Sequence, residues 1–143
     1  MNGEEFAAFV EGYFDAVRFC GVMVIQDDEL QSVGLDETAS LEFGRGTLQK
    51  IVEECYEFCH EQGEPDTDVL LEEYTENVNA EYAETFLDAY ALAGQDFYLT
   101  RCGHGAGFWD RGLGKLGVEL SERSKPYGDQ SFTILPDGNI GIL

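Results

Sequence analysis

The sequence predicts a single α+β domain over residues 1–143, and three observations carry that reading. Apolar residues recur at three- and four-residue spacing through the N-terminal two thirds, which marks helix faces. The C-terminal third instead shows short alternating runs broken by glycine, which marks antiparallel strands. A hydrophobic fraction of 43% and an aromatic fraction of 13% in 143 residues provide for one sizeable core. The predicted architecture is an acidic helical N-terminal part packed on a small antiparallel β-sheet, the sheet being built from a glycine hairpin and a C-terminal hairpin.

From Glu4 to Cys20, Phe6, Phe9, Val10, Tyr13, Phe14 and Val17 fall on one helix face. Glu4 and Glu5 suit the first turn, and Gly21 is a plausible stop. Residues 22–46 are mixed, with Gln26–Glu29 and Leu35–Thr38 reading as turns or short helix. Thr47 is a candidate N-cap for a second helix with Ile51, Cys55, Phe58 and Cys59 inward and Glu53, Glu57 and Glu61 outward. Gly63 and Pro65 close it. Asp66 or Thr67 caps a short helix over Leu70 and Tyr74, and a fourth helix is expected from about Ala80 to Ala93, ended by Gly94.

Then comes Asp96-Phe97-Tyr98-Leu99-Thr100-Arg101-Cys102-Gly103-His104-Gly105-Ala106-Gly107-Phe108-Trp109-Asp110-Arg111-Gly112. Apolar alternation at Phe97 and Leu99, then Gly-X-Gly-X-Gly, then Phe108-Trp109, predicts strand, tight turn and strand. On such a strand one of Phe108 and Trp109 faces the core and the other faces solvent. A last helix or a few turns is expected over Val118–Lys125. Ser131–Leu135 and Ile140–Leu143 flank Pro136-Asp137-Gly138-Asn139 as a hairpin.

The run DFYLTRCGHGAGFWDRGLG resembles the D-F-W-L-T-R-N-G-H-G-A-G-F-W-D-R signature of a family of small proteins from bacteriophage genomes and prophage regions. The likeness covers the last third of the chain, with an echo in Tyr127-Gly128-Asp129 and Pro136-Asp137-Gly138. Tyr98 stands where the signature has Trp, and Cys102 where it has Asn. The resemblance implies a phage-type accessory protein, and the Cys102 departure argues against a catalytic thiol there.

The charge map is uneven. Lys and Arg number 8 against 29 Asp and Glu, a net charge of −21. Residues 1–100 hold 24 acidic and 3 basic side chains, whereas residues 101–143 hold 5 of each. The block from Glu53 to Asp88 has 13 acids and no base. Laid out as helix at ~1.5 Å per residue, that block approaches the phosphate density of a nucleic-acid strand, one charge per ~3.4 Å. A basic footprint for nucleic acid is missing, so direct nucleic-acid binding is disfavoured. No apolar run has the ~20 residues of a membrane span, and the N-terminus has acids where a signal peptide has bases. The expectation is a cytoplasmic chain with four free thiols.

Cys55, Cys59 and His60 do not share one helix face, and no second ligand pair sits at zinc spacing, so no metal or cofactor is called for. His104 between glycines is a candidate acid, base or anchor, with Asp110 or Asp96 to orient it and Arg101 to hold an anion beside it. The competing reading is a loop tied down by one histidine hydrogen bond, with Arg101 and Arg111 paired to Asp96 and Asp110.

Three functions are therefore in view. The first is a non-enzymatic accessory protein whose acidic surface binds a host protein with a basic or nucleic-acid-binding surface, in the manner of a DNA mimic. Its predicted contacts are Glu57, Glu61, Glu72, Glu73, Glu76, Glu84 and Asp88, with the aromatic residues Tyr74, Tyr56 and Tyr82 giving direction. The second is a small enzyme or ligand-binding domain with its site at Cys102–Trp109 and His104, Asp110 and Arg101 as catalytic residues. In the third, the acidity reflects a high-salt environment.

Overall fold

Asn2 starts the first helix by satisfying amides that a helix N-terminus leaves open. In the computed structural model, which describes residues 1–143, its side chain accepts from the Glu5 amide at 2.8 Å, and the Glu5 carboxylate accepts from the Asn2 amide at 2.8 Å. Helix α1 spans Gly3–Ala16 and buries Phe9, Val10, Tyr13 and Phe14. It widens into a π turn over Val17–Gly21, and Gly21 ends it. A side chain there would collide with the Tyr98 hydroxyl, since a Cβ would lie 2.4 Å away.

Strands β1 (Met23–Gln26) and β2 (Glu29–Ser32) form a hairpin that the sequence does not announce. Its two-residue turn is Asp27-Asp28, with φ of 54° and 64°. That left-handed pair is the geometry usually supplied by Asn-Gly or Asp-Gly. Helix α2 is the short Leu35–Thr38 turn. Helix α3, Arg45–Cys59, starts two residues before the predicted Thr47 cap, and Thr47 is buried inside it. Helix α4, Thr67–Asn77, buries Leu70, Leu71 and Tyr74.

Helix α5 corrects the sequence reading most. It runs unbroken from Phe86 to Arg101, its Thr85 cap accepting from the Asp88 amide at 3.0 Å. Gly94 lies inside it and does not end it. The reason is a close crossing: a Cβ on Gly94 would lie 1.8 Å from the Phe9 carbonyl oxygen, and one on Gly12 would lie 1.7 Å from the Ala91 carbonyl oxygen. Both glycines are packing residues that let the α1 and α5 backbones touch. Phe97 and Leu99 are therefore helical, and the expected glycine hairpin does not exist.

After a 3₁₀ turn at Phe108–Asp110 come helix α6 (Lys115–Ser124) and a second 3₁₀ turn at Lys125–Tyr127. Strands β3 (Phe132–Ile134) and β4 (Ile140–Ile142) form the predicted C-terminal hairpin. Its partner is not the glycine segment. Val22 bridges in parallel to Phe132 and Phe43 to Ile140, while the Gly44 amide donates to the Ile140 carbonyl at 2.9 Å. The core fills the space between these parts with aromatic rings, and Phe58 and Phe97 stack at its centre with centroids 4.1 Å apart.

The crossing makes a direct prediction for chemical unfolding. Gly94→Ala and Gly12→Ala should each lower stability by about 3 kcal/mol, because the methyl meets backbone that cannot swing away. Gly46→Ala in α3, where an added Cβ meets nothing within 4 Å, should raise it by roughly 0.5–1 kcal/mol. Equal effects at all three positions would mean that the helices do not pack backbone to backbone.

Candidate functional site

The segment from Asp96 to Gly112 is a helix end followed by a loop held at three points. Helix α5 terminates in a Schellman motif: the His104 amide donates to the Leu99 carbonyl at 3.0 Å and the Gly103 amide to the Thr100 carbonyl at 3.1 Å. Gly103 takes φ of 71°, as that motif requires. Next, Thr100 Oγ1 accepts from the Phe108 amide at 3.1 Å. Gly107 lies against it with φ of 153°, where a Cβ would stand 2.2 Å from the same oxygen.

The third tie is ionic. Asp96 is fully buried, accepts from the Tyr74 hydroxyl at 2.7 Å, and receives Arg111 through Nη2 at 2.7 Å and Nε at 3.1 Å. The other face of Arg111 lies over the Tyr82 ring, 4.9 Å from its centroid. Burial pushes the Asp96 carboxyl above its ordinary range, against the pull of Arg111 and Tyr74. The bland sequence reading is thus met for Arg111, which pairs with Asp96.

Arg101 is not a site residue. Its side chain is buried, Nε donates to the Gly128 carbonyl at 2.8 Å, Nη2 to the Tyr127 carbonyl at 2.8 Å, and Nη1 to the Tyr13 hydroxyl at 3.1 Å and to Glu54. All three of its nitrogens are in use, so it locks the 127–128 turn onto α5. Asp110 is exposed and makes no hydrogen bond to His104. The proposed catalytic set of His104, Asp110 and Arg101 is not assembled.

His104 has a different neighbour, one that spacing along the chain does not reveal. Its Nε2 lies 3.8 Å from Cys20 Sγ, which itself donates to the Ala16 carbonyl at 3.2 Å. Both line a cavity of about 660 Å³ walled by Ala16, Phe19, Leu35, Leu99 and Ala106, with Asp15 and Gln95 as further polar members. Burial pushes the Cys20 thiol up and carries Cys102 up to about 11. Burial therefore pushes both thiols away from the thiolate form that a nucleophile needs. All four cysteines are free, with Cys55 and Cys59 buried in the core. No group of three or more His, Cys, Asp or Glu is gathered to hold a metal ion.

The predicted partner contacts fall into separate places. Glu57 and Glu61 border a groove beside Tyr127, and Glu72 and Glu76 border another with Glu5 and Asp68. Glu84 and Asp88 border a third with Asp15 and Glu81, while Glu73 is exposed on α4. Tyr74 is a correction. It is fully buried against Asp96 and offers nothing to a partner, whereas Tyr56 and Tyr82 are 56% and 49% exposed. Phe108 is buried and Trp109 is 53% exposed, the predicted division, produced by a 3₁₀ turn and not by a strand.

Two measurements test this site. Asp96→Asn leaves Arg111 half-buried and uncompensated and should cost about 3–5 kcal/mol in urea unfolding. Tyr74→Phe removes one hydrogen bond and should cost about 1.5 kcal/mol, so similar losses would show that the ion pair is not the main tie. Alkylation of Cys102 by iodoacetamide should still be accelerating with pH at pH 10, and a plateau below pH 9 would contradict a thiol raised by burial. Comparison with protein-family models, with curated proteins and with solved structures gives no match to this chain.

Proposed function

We propose that this protein is a non-enzymatic accessory protein of the phage type. Its acidic surface binds a host protein with a basic or nucleic-acid-binding surface in the host cytoplasm. The observation that carries the reading is the lack of internal compensation: of the 13 acids between Glu53 and Asp88, only Glu54 is in an ion pair. Lys50 and Arg101 reach Glu54 alone in this block, and Arg45 and Lys115 are in no ion pair. Arg101 and Arg111 are turned inward, and Arg123 and Lys125 pair with Glu119 and Glu122 on and beside α6.

An uncompensated surface of this kind is costly for folding and useful for capture. Like charges on one face repel within a Debye length of ~10 Å at 0.1 M salt, and a cationic partner relieves that repulsion on binding. Exposed Tyr56 and Tyr82 offer rings among the carboxylates for directional contact. No helix is long and apolar enough to cross a membrane. Against the enzymatic alternative, Arg101 is committed to Gly128, Tyr127, Tyr13 and Glu54, and Asp110 makes no hydrogen bond to His104. The cavity beside His104 favours a binding role for the loop.

Capture from host lysate at moderate salt should recover a nucleic-acid-binding protein, with added DNA competing for it. Charge reversal of Glu72, Glu73 and Glu76 to Lys should weaken capture about tenfold or more, and rising salt should weaken it steeply. His104→Ala should leave charge-driven capture standing. Capture that survives the reversals would remove the α4 face from the contact, and capture that is indifferent to salt would remove the acidic surface altogether.

A further inference from the structure

Two depressions share a wall. The apolar cavity beside His104 and the groove bordered by Glu81, Glu84 and Asp88 both include Asp15 and Gln95 among their lining residues. The composite is amphipathic: one end offers Phe19, Leu35, Leu99 and Ala106, and the other offers four carboxylates counting Asp15. Phe19 and Leu35 stand 67% and 44% exposed, and what sets them apart from apolar residues scattered singly on the surface is that they line one cavity with Leu99 and Ala106. None of these four carboxylates is in an ion pair within the chain.

The chemistry of an occupant follows from both ends. A volume of about 660 Å³ lies within the ~300–1,000 Å³ of ligand-holding clefts and has room for more than one side chain. Asp15 beside it, in a chain of net charge −21, works against an anionic ligand, a nucleic acid or an acidic lipid surface. A second copy of this chain would bring acids against acids. No set of donors suits a metal ion. Charge complementarity and apolar burial together select a segment with apolar side chains on one face and lysine or arginine beside them.

We propose that the cavity and its acidic groove form one docking site for a basic amphipathic peptide segment of the partner. Its apolar side chains enter between Phe19, Leu35, Leu99 and Ala106, and its cations lie along Asp15, Glu81, Glu84 and Asp88. The inference rests on the reading that the partner is basic, and it adds what charge alone does not supply. Carboxylates attract any cation, whereas a cavity discriminates by shape and apolar area. It also gives the phage-type loop a task, since His104, Gly105 and Ala106 form one wall of the cavity. His104 Nε2 is then placed to hydrogen-bond the entering backbone.

The test uses the full chain and two fluorescein-labelled lysine-rich peptides, one with leucines at i and i+4 and one with serines there. Fluorescence anisotropy should show the leucine peptide binding about tenfold or more tightly, the factor expected for burying large apolar side chains. Ala106→Trp, which fills the cavity, should abolish that preference while keeping the serine peptide's salt-dependent binding. Phe19→Ser should do the same, and its mostly exposed side chain can be replaced without loss of the fold if packing around Ala106 does not tolerate the larger ring. Changing Glu81, Glu84 and Asp88 to Gln should weaken both peptides and flatten their salt dependence. The leucine peptide should also slow alkylation of Cys20, read by mass spectrometry, and leave Cys102 unaffected.

Equal affinity for the two peptides in the native chain would overturn the docking site and leave the acidic-surface reading intact. A leucine preference that persists in both cavity variants would place the apolar contact elsewhere and overturn it as well. Absence of binding by either peptide at low salt would reject the acidic-surface reading itself.

Discussion

Everything in this molecule is arranged about the contact of α1 with α5, where Gly12 and Gly94 remove the side chains that would hold the helices apart. Ala91 and Phe9 carbonyl oxygens occupy the space a Cβ would take. Two backbones that close together fix rotation as well as distance, because no side chain remains to cushion an alternative register. Tyr13 is thereby set against Phe97 and Tyr98, with ring centroids 5.7 and 5.0 Å away, and its hydroxyl meets Arg101. The same crossing brings the π turn at the end of α1 alongside the C-terminal half of α5. That is how Cys20 and His104 come to face one cavity.

The distribution of charge is a division of labour between inside and outside. Arginine is suited to interior use because its planar fork satisfies several acceptors at once. Arg101 and Arg111 each do so, one joining α5 to α3 and the 127–128 turn, the other joining α5 to α4 and the loop. Two of the eight cations are thus taken from the surface to hold the interior together. What remains outside is wholly anionic among the charged side chains of α4 and the start of α5, whereas α3 sets exposed Arg45 and Lys50 in its first half against Glu53 and Glu57 in its second. Fold and surface charge thus draw on the same few cations.

Much of this was legible in the sequence where the signal is local. The C-terminal hairpin follows from Pro136-Asp137-Gly138-Asn139, and α1 and α4 follow from apolar spacing and their starts. What escaped is tertiary in cause. Gly94 carries the same symbol whether it ends a helix or admits a neighbouring backbone, and only the neighbour distinguishes the two. Taking it as a stop turned Phe97 and Leu99 into strand residues and produced a hairpin where there is a helix end. The Asp27-Asp28 turn lacks the glycine that normally announces left-handed geometry. At the candidate site, His104 was found from its own loop, but Cys20 lies about eighty positions away and no spacing rule joins them. Arg101 and Tyr74 look like surface chemistry on a helix until the partners that bury them are known.

The C-terminal hairpin has a consequence for the order in which the chain can be completed. Phe132 and Ile140 are fully buried and bridge to Val22 and Phe43, partners about a hundred positions away, so loop-closure entropy must be overcome before the pairing returns anything. Until residues 132–142 have emerged during synthesis, the Glu42 carbonyl and the Gly44 amide lack their Ile140 partners, and the Phe43 ring has Phe14 stacked on it but not Phe132 at its edge. The early helices can form and cross while translation continues. The β part is a clasp, closed only when its last strand arrives, and until then an open edge is available to any other extended chain nearby.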